Sequence, residues 1–506
     1  MKISKLILIS AIVLLCLPRS QAQIDPNANG YFNEALLFSQ TTFGGGARIA
    51  GVGGAQVSLG GVINSALSNP AGLGMYNRSV FSISPSLNFI NSDSEFLNEN
   101  TTDDRLRFSI PNLGVVFNKT KSDVSQGAFR GGSFGISVSK INDFNNQYTY
   151  SANNPQGSDF FTFVFDQIDN TQQTFYEDLA FNAFLLDEFF EVGPAGDTIF
   201  FLDYIDAPNA LEFPNLQTET VTTSGSQYQW SFSYGGNIAD RVFFGASIGL
   251  VSVNFNQTRT YTESRSQQSA IGSLTLREDL DVDGSGINAT LGVIVRPVNQ
   301  FQIGFSFVTP TYYNLNDQFE ASIESNFNNF FYAPENRVLT NEIGRSDIFL
   351  SDYSLTTPLR LNLGATFFLG KYGFISGDIE RINYSNSSLR SDDFLTEGDN
   401  NTIDNLYQST YNYRLGMELR KGMGRLRLGY NLQGDPFADD SGLDRSRTNL
   451  SAGLGLRTKD YYIDLAVVNS QFNAETSPYT LTDGTQPFAT IENSNTLGIL
   501  TVGVNF

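Results

Sequence analysis

The chain has 506 residues, 13% of them aromatic and only 16% charged, against about 25% charged in ordinary soluble domains. Its 52 acidic residues outnumber the 31 basic ones, which excludes nucleic acid as a partner. One cysteine and no histidine exclude disulfide staples, Ser-His-Asp hydrolysis, HExxH zinc chemistry and His-ligated haem, so the chain reads as a non-enzyme with no cofactor and no metal site.

Residues 1–22 read as a cleaved secretory signal peptide: Lys2 and Lys5 are basic, Leu6 to Leu17 is apolar, and Ser20-Gln21-Ala22 is a small-residue cleavage site. Cys16 lies inside it, and Leu15 stands where a lipoprotein signal would want a small residue. The apolar stretch is shorter than the roughly 20 residues of a spanning helix. No later stretch offers that length either, which argues against an inner-membrane protein.

Residues 23–76 read as a plug. Ten glycines fall between Gly44 and Gly74, ahead of the first recognisable strand. A dinucleotide fingerprint fails, because Gln56 stands where the third small residue belongs and no βαβ pattern surrounds it. Glycine and alanine instead allow backbone to approach backbone, and glycine permits positive φ in tight turns. Asn64 or Ser65 can cap a short helix ended by Asn69-Pro70, since the residue before proline avoids helical geometry.

From residue 77 to 506 the pattern is that of membrane strands, which need about 9 to 11 alternating residues. Phe81, Ile83, Leu87 and Phe89 mark the first. The second covers about 106–118, with a phase change at Pro111 that predicts a bulge. Phe134, Ile136 and Val138 mark the third, and Tyr228, Trp230, Phe232 and Tyr234 form an aromatic fourth. Strands at about 242–262, 272–296, 301–322, 353–369, 372–385, 409–421, 424–433, 446–457, 460–473 and 495–506 bring the total to fourteen. Links after even-numbered strands are short and those after odd-numbered strands mostly long, as in barrels with periplasmic turns and extracellular loops. The sequence therefore predicts an all-β fold, a 14-stranded antiparallel transmembrane barrel in the bacterial outer membrane with an N-terminal hatch in its lumen.

The longest loop, at about 150–222, is extracellular by this parity. No Lys or Arg occurs between Ile141 and Asp240, and Phe160, Phe163, Phe181 and Phe184 belong to a dense aromatic set there. Thr174 with Glu177 predicts a capping box opening a helix that Gly193-Pro194 would end. These aromatics are expected to form an exposed capture surface for a hydrophobic ligand. The alternative is that they are the core of a large folded loop. The acidity disfavours an anionic ligand at this rim.

Alternation directs Arg360, Arg414 and Arg427 to the lumen, with Asp378, Glu380 and Glu418 on neighbouring strands. A salt-bridge ladder is the favoured reading; a ligand carboxylate held by Arg360 or Arg414 is the functional one. Asp279, Asp281 and Asp283 begin like a calcium loop, but position twelve is Thr290 rather than Glu, and a lumen-facing strand accounts for them.

The chain closes on Leu500, Val502, Val504 and Phe506, similar to the C-terminal signal read by the barrel assembly machinery. The run Arg48, Gly51, Gly53-Gly54-Ala55 and Asn69-Pro70-Ala71-Gly72-Leu73 resembles the N-terminal hatch of the FadL/TodX family of outer-membrane transporters for hydrophobic compounds. Gly286, Leu291-Gly292 through Arg296-Pro297 and Ile303-Gly304 resemble its sixth and seventh strands. Leu426 to Tyr430, with Asp435-Pro436, resembles its eleventh strand and the following loop.

The resemblance implies passive uptake of long-chain fatty acids, hydrocarbons or similar molecules, gated by the hatch and released laterally beside a kinked third strand. That kink would fall at Lys140, Asn142 and Asp143, where Asn and Asp tolerate irregular backbone. Expected partners are the hydrophobic ligand, outer-membrane lipid and the assembly machinery. Relatives with this barrel also serve as scaffolds or shuttles in protein export, which stands as the alternative function.

Overall fold

Period-two alternation runs through long stretches of this chain, and in the computed structural model it becomes a barrel. The structure describes residues 30–506 except 43–44, 121–126, 155–156, 172–174, 193–197, 206–214, 266–268 and 439–441; the expected signal peptide lies outside the described residues. Nineteen hydrogen-bonded segments form one sheet, and all but one of them join into fourteen barrel strands.

These strands are β1 (Val80–Phe96), β2 (Glu99–Thr120), β3 (Phe129–Asp143 and Asn146–Asn154), β4 (Asn215–Ile238), β5 (Val242–Ser264), β6 (Ile271–Val298) and β7 (Phe301–Val308 and Tyr312–Tyr332). They continue as β8 (Phe349–Thr356 and Arg360–Phe368), β9 (Gly373–Asn383 and Ser388–Ser391), β10 (Ser409–Lys421), β11 (Gly424–Gln433), β12 (Arg447–Arg457), β13 (Tyr461–Thr476) and β14 (Ala489–Asn505). The remaining segment, Arg337–Arg345, extends an outer hairpin of β7. Every neighbouring pair is antiparallel, and β14 pairs back onto β1 from Val80↔Asn505 to Phe96↔Ala489, so the sheet has no free edge around most of its circumference.

The predicted bulge is present: Ser84 pairs with Asn112 and Ser86 with Ser109, so Ile110 and Pro111 together face Pro85. Loop parity also holds along most of the chain. The β1–β2 link is on the extracellular side yet is a two-residue turn, Leu97-Asn98, both at positive φ.

The strands are longer than the membrane requires, and their two faces exchange character along their length. On β6, Ile287 and Leu291 point outward and are exposed, while Asn288 and Thr290 point inward. Nearer the extracellular end the same parity puts Leu274, Leu276, Leu280 and Val282 inside and Asp281 and Asp283 outside. The aspartates therefore do not face the lumen, contrary to expectation. Asn254 and Thr258 of β5 hydrogen-bond Asp283 and Asp279 at 2.9 and 2.6 Å on this outer face. Below the exchange the wall meets lipid outside and polar groups inside; above it the wall meets water outside and needs an apolar filling.

That filling comes from two segments. The helix Tyr31–Ser39 contributes Tyr31, Leu36 and Phe38, and the long loop contributes Phe160, Phe161, Phe163 and Leu179 to one core with Val253, Phe255 and Leu280 of the wall. The capping box in this loop is Asp159 with Thr162, opening the helix Phe160–Asp166. The expected helix begins at Phe175 but ends at Asn182, before Gly193-Pro194, because Phe184 takes a positive φ and the chain turns into the strand Leu186–Val192. Thr174, Gly193 and Pro194 lie outside the described residues.

Candidate ligand channel and hatch

Residues 45–76 fill the membrane-level lumen, seated on backbone and small side chains rather than on bulky ones. The Gln56 and Val57 amides donate to the Asp378 carboxylate of β9 at 2.6 and 2.9 Å. The Ala47 amide donates to Thr501 at 2.7 Å, and the Gly53 amide to Ser451 at 3.1 Å. Asn69 fixes the next turn: its amide donates to the Val57 carbonyl at 2.7 Å and its oxygen accepts from the Ala71 amide at 3.2 Å. Pro70 then opens the 3₁₀ turn Pro70–Met75, where its fixed φ fits and its missing N–H costs nothing.

The close approach is reciprocal. A Cβ on wall residues Gly245, Gly292, Gly304, Gly416 or Gly429 would lie within 2.3 Å of Pro70, Asn69, Val57, Val52 or Gly53 respectively. Sequence reasoning found the hatch glycines; it noted Gly292, Gly304 and Gly429 only within the family resemblance, and did not place any wall glycine against the hatch. The signal available was one inward-parity glycine on each of several strands. Gly235, Gly245 and Gly292 are direct cross-strand neighbours, which makes a shallow track for the 69–74 turn.

Above the hatch is a cavity of about 160 Å³. Its floor is hatch, at Ile49, Gly54, Gln56 and Val57; its roof includes Phe38; its wall includes Lys140, Ile141, Arg360 and Arg414. The volume is on the order of that which holds one benzene ring in an engineered protein cavity.

The cavity borders a break in the wall. β3 pairs with β2 only from Gly131↔Thr120 to Ser139↔Asn112. Beyond Ser139, β3 carries a bulge at Ile141 and an interruption at Phe144-Asn145, and its second segment pairs with β4 alone. Side chains bridge the gap in place of a ladder: Arg105 donates to the Asn146 carbonyl at 2.8 Å and Gln147 to Asp103 at 3.0 Å. Lys140 pairs with Asp143 and donates to Ser109 at 2.8 Å. The chain leading into the hatch is tied to this break. The Asn142 amide donates to the Leu37 carbonyl at 2.9 Å, and the Thr42 amide to the Ile141 carbonyl at 3.0 Å.

The three arginines expected in the lumen are not equivalent. Arg427 is fully buried between Glu418 and Asp464, at 2.7 Å from each, and Arg414 bonds Glu380 at 3.0 Å. These two form the ladder. Arg360 makes no ion pair among the described residues; it donates to the Ser39 carbonyl and, at 2.9 Å, to the Thr41 hydroxyl. It thus holds residues 31–42, the strap above the hatch, and lines the cavity as a cation. Of the loop aromatics, Phe160 (1% exposed) and Phe163 (8%) are core, Phe184 is half-buried, and Phe181 (42%) faces solvent. Phe160 and Phe163 therefore present little surface to solvent, because the apolar inner wall of β5–β7 takes them.

These features define a class: a hatch-plugged β-barrel of the outer membrane. Its fold is that of the FadL/TodX channels. A FadL homologue of Pseudomonas aeruginosa aligns over 92% of this chain and 100% of its own, with a TM-score of 0.53 at 10% identity. The toluene transporter TodX of Pseudomonas putida aligns over 92% and 99%, with a TM-score of 0.52 at 14% identity. At these identities the likeness is one of fold. No family model matches the sequence, and no curated protein matches it.

Proposed function

We propose that the protein passively admits hydrophobic small molecules across the outer membrane, gated by the hatch, with lateral release between β2 and β3. The carrying observation is the position of the cavity, which touches the hatch at Gln56 and Val57 and the strand break at Lys140 and Ile141. A molecule held there is one side chain away from an unladdered stretch of wall. The hydrogen bonds of Asn142 and Thr42 couple that stretch to the strap, so displacement of one loads the other. The toluene transporter with this fold supports a hydrophobic cargo such as a hydrocarbon; a fatty acid rests on the family resemblance of the hatch alone.

The test is uptake of radiolabelled toluene and oleate into proteoliposomes, against an unrelated barrel. Faster uptake of either supports the reading, and equal rates for both overturn it. If purification instead retains a stoichiometric protein and no small molecule, the export scaffold becomes the better reading.

A further inference from the structure

A second cavity, of about 210 Å³, lies on the opposite side of the strap from the hatch cavity, among the extracellular ends of β9, β11, β12 and β13. Leu36, Pro436, Phe437, Phe472 and Ala474 give it apolar walls. Gln40 and Gln433 line both cavities, and Gln433 donates to the Thr41 carbonyl at 3.1 Å, so a thin polar partition separates them.

Two arginines line this space, and their circumstances differ. Arg445 stacks 4.5 Å from the Phe437 ring and pairs with Glu475 at 3.3 Å. Arg447 stacks 4.0 Å from the Phe472 ring, yet among the described residues its guanidinium has neither a carboxylate nor any hydrogen-bond acceptor. Arg447 is half-buried, and a cation partly withdrawn from water is normally paired, since leaving it unpaired carries a desolvation cost. The ring face compensates only part of that cost. Five N–H donors remain, in a planar fork that matches a carboxylate. Tyr384, whose hydroxyl also has no partner among the described residues, lines the same cavity.

We propose that this cavity is a binding subsite for a small aromatic carboxylate, whose charged end is held by Arg447 and whose ring lies against Phe472 and Phe437. The volume suits one ring with its substituent. That this subsite feeds the hatch cavity rests on the uptake reading; that it binds does not.

The probe is benzoate, with toluene as its uncharged counterpart, titrated calorimetrically into the folded barrel in a non-ionic detergent. Arg447→Gln should weaken benzoate binding at least tenfold and leave toluene unchanged; unchanged benzoate affinity, or none in the unsubstituted protein, overturns the site. A second measurement needs no variant. Benzoate should slow phenylglyoxal modification of Arg447, read by peptide mass spectrometry, and equal labelling with and without benzoate overturns the site. Benzoate binding without uptake of any cargo would sink the transport reading and leave this subsite standing. Toluene uptake without benzoate binding would do the reverse.

Discussion

Gly53 of the hatch lies against the backbone of Tyr430 on β11: a Cβ at position 53 would stand 2.7 Å from both the Tyr430 nitrogen and its carbonyl oxygen, and φ there is +65°. Neither atom can move without breaking the ladder to β10 or β12. Gly53→Val should therefore unseat this part of the hatch, at a cost of about 1–3 kcal/mol from overpacking alone. The expected result is higher single-channel conductance in planar bilayers with the barrel still folded. Conductance equal to that of the parent would show that the hatch absorbs the side chain.

Such contacts mark the limit of what was legible in the sequence. The fourteen strands, their loop parity and the Pro111 bulge were readable because alternation and proline are local signals. The hatch was readable because ten glycines in so short a run have few other uses. The packing role of Gly304 of β7 was not: it stood out only within the family resemblance, and only its inward parity beside the Val57 carbonyl gives it meaning. Which of the two readings of the aromatic loop applies was not legible for a related reason. Composition says that Phe160 and Phe163 are apolar but not what covers them. The clue lay more than 100 residues away, where Leu274, Leu276 and Leu280 face inward and Asp279 and Asp281 do not, a wall that requires a hydrophobic filling. Arg360 was placed correctly in the lumen, but its partners are backbone and hydroxyl groups of the strap, which no pairing of charges along the sequence could reveal.

The filling role separates two phenylalanines of one loop. Phe163→Ala removes a ring that packs 5.0 Å from Tyr176 and 5.8 Å from Tyr479, and core Phe→Ala changes cost about 3–5 kcal/mol. Phe181→Ser removes a ring that is 42% exposed and should cost far less, about 0.5 kcal/mol. Thermal unfolding in detergent should lower the midpoint for the first and not for the second. Equal midpoints would mean that the loop does not support the outer barrel.

Asn142 offers a test of the tie between the strand break and the strap. Asn142→Ala removes the donor to the Leu37 carbonyl and leaves that acceptor short of a partner, a loss of about 1–3 kcal/mol. Amides of residues 36–42 should then exchange with deuterium faster, while those of β10 and β11 stay unchanged. Unaltered exchange in the strap would show that the remaining Thr42–Ile141 bond suffices.

The strap should also respond to pH. Asp399, in the extracellular helix Glu397–Leu406, accepts from the Phe32 amide at 3.2 Å, and burial raises its pKa above the ordinary carboxylate value in spite of the backbone hydrogen bonds it accepts. A carboxyl whose docked pKa lies above its free value of about 3.9 favours docking in its protonated form. Its contribution is fully present below about pH 3.9 and is lost as pH rises through the raised value. After correction for intrinsic rates, amides of the Tyr31–Ser39 helix should thus be better protected at pH 4 than at pH 7. Asp399→Asn keeps a neutral acceptor at that position at both pH values, so the difference should disappear in the variant. A difference that persists would assign the pH response to another titratable group at the helix, Glu34 on it beside Tyr353 or Asp317 of the wall beside Tyr31.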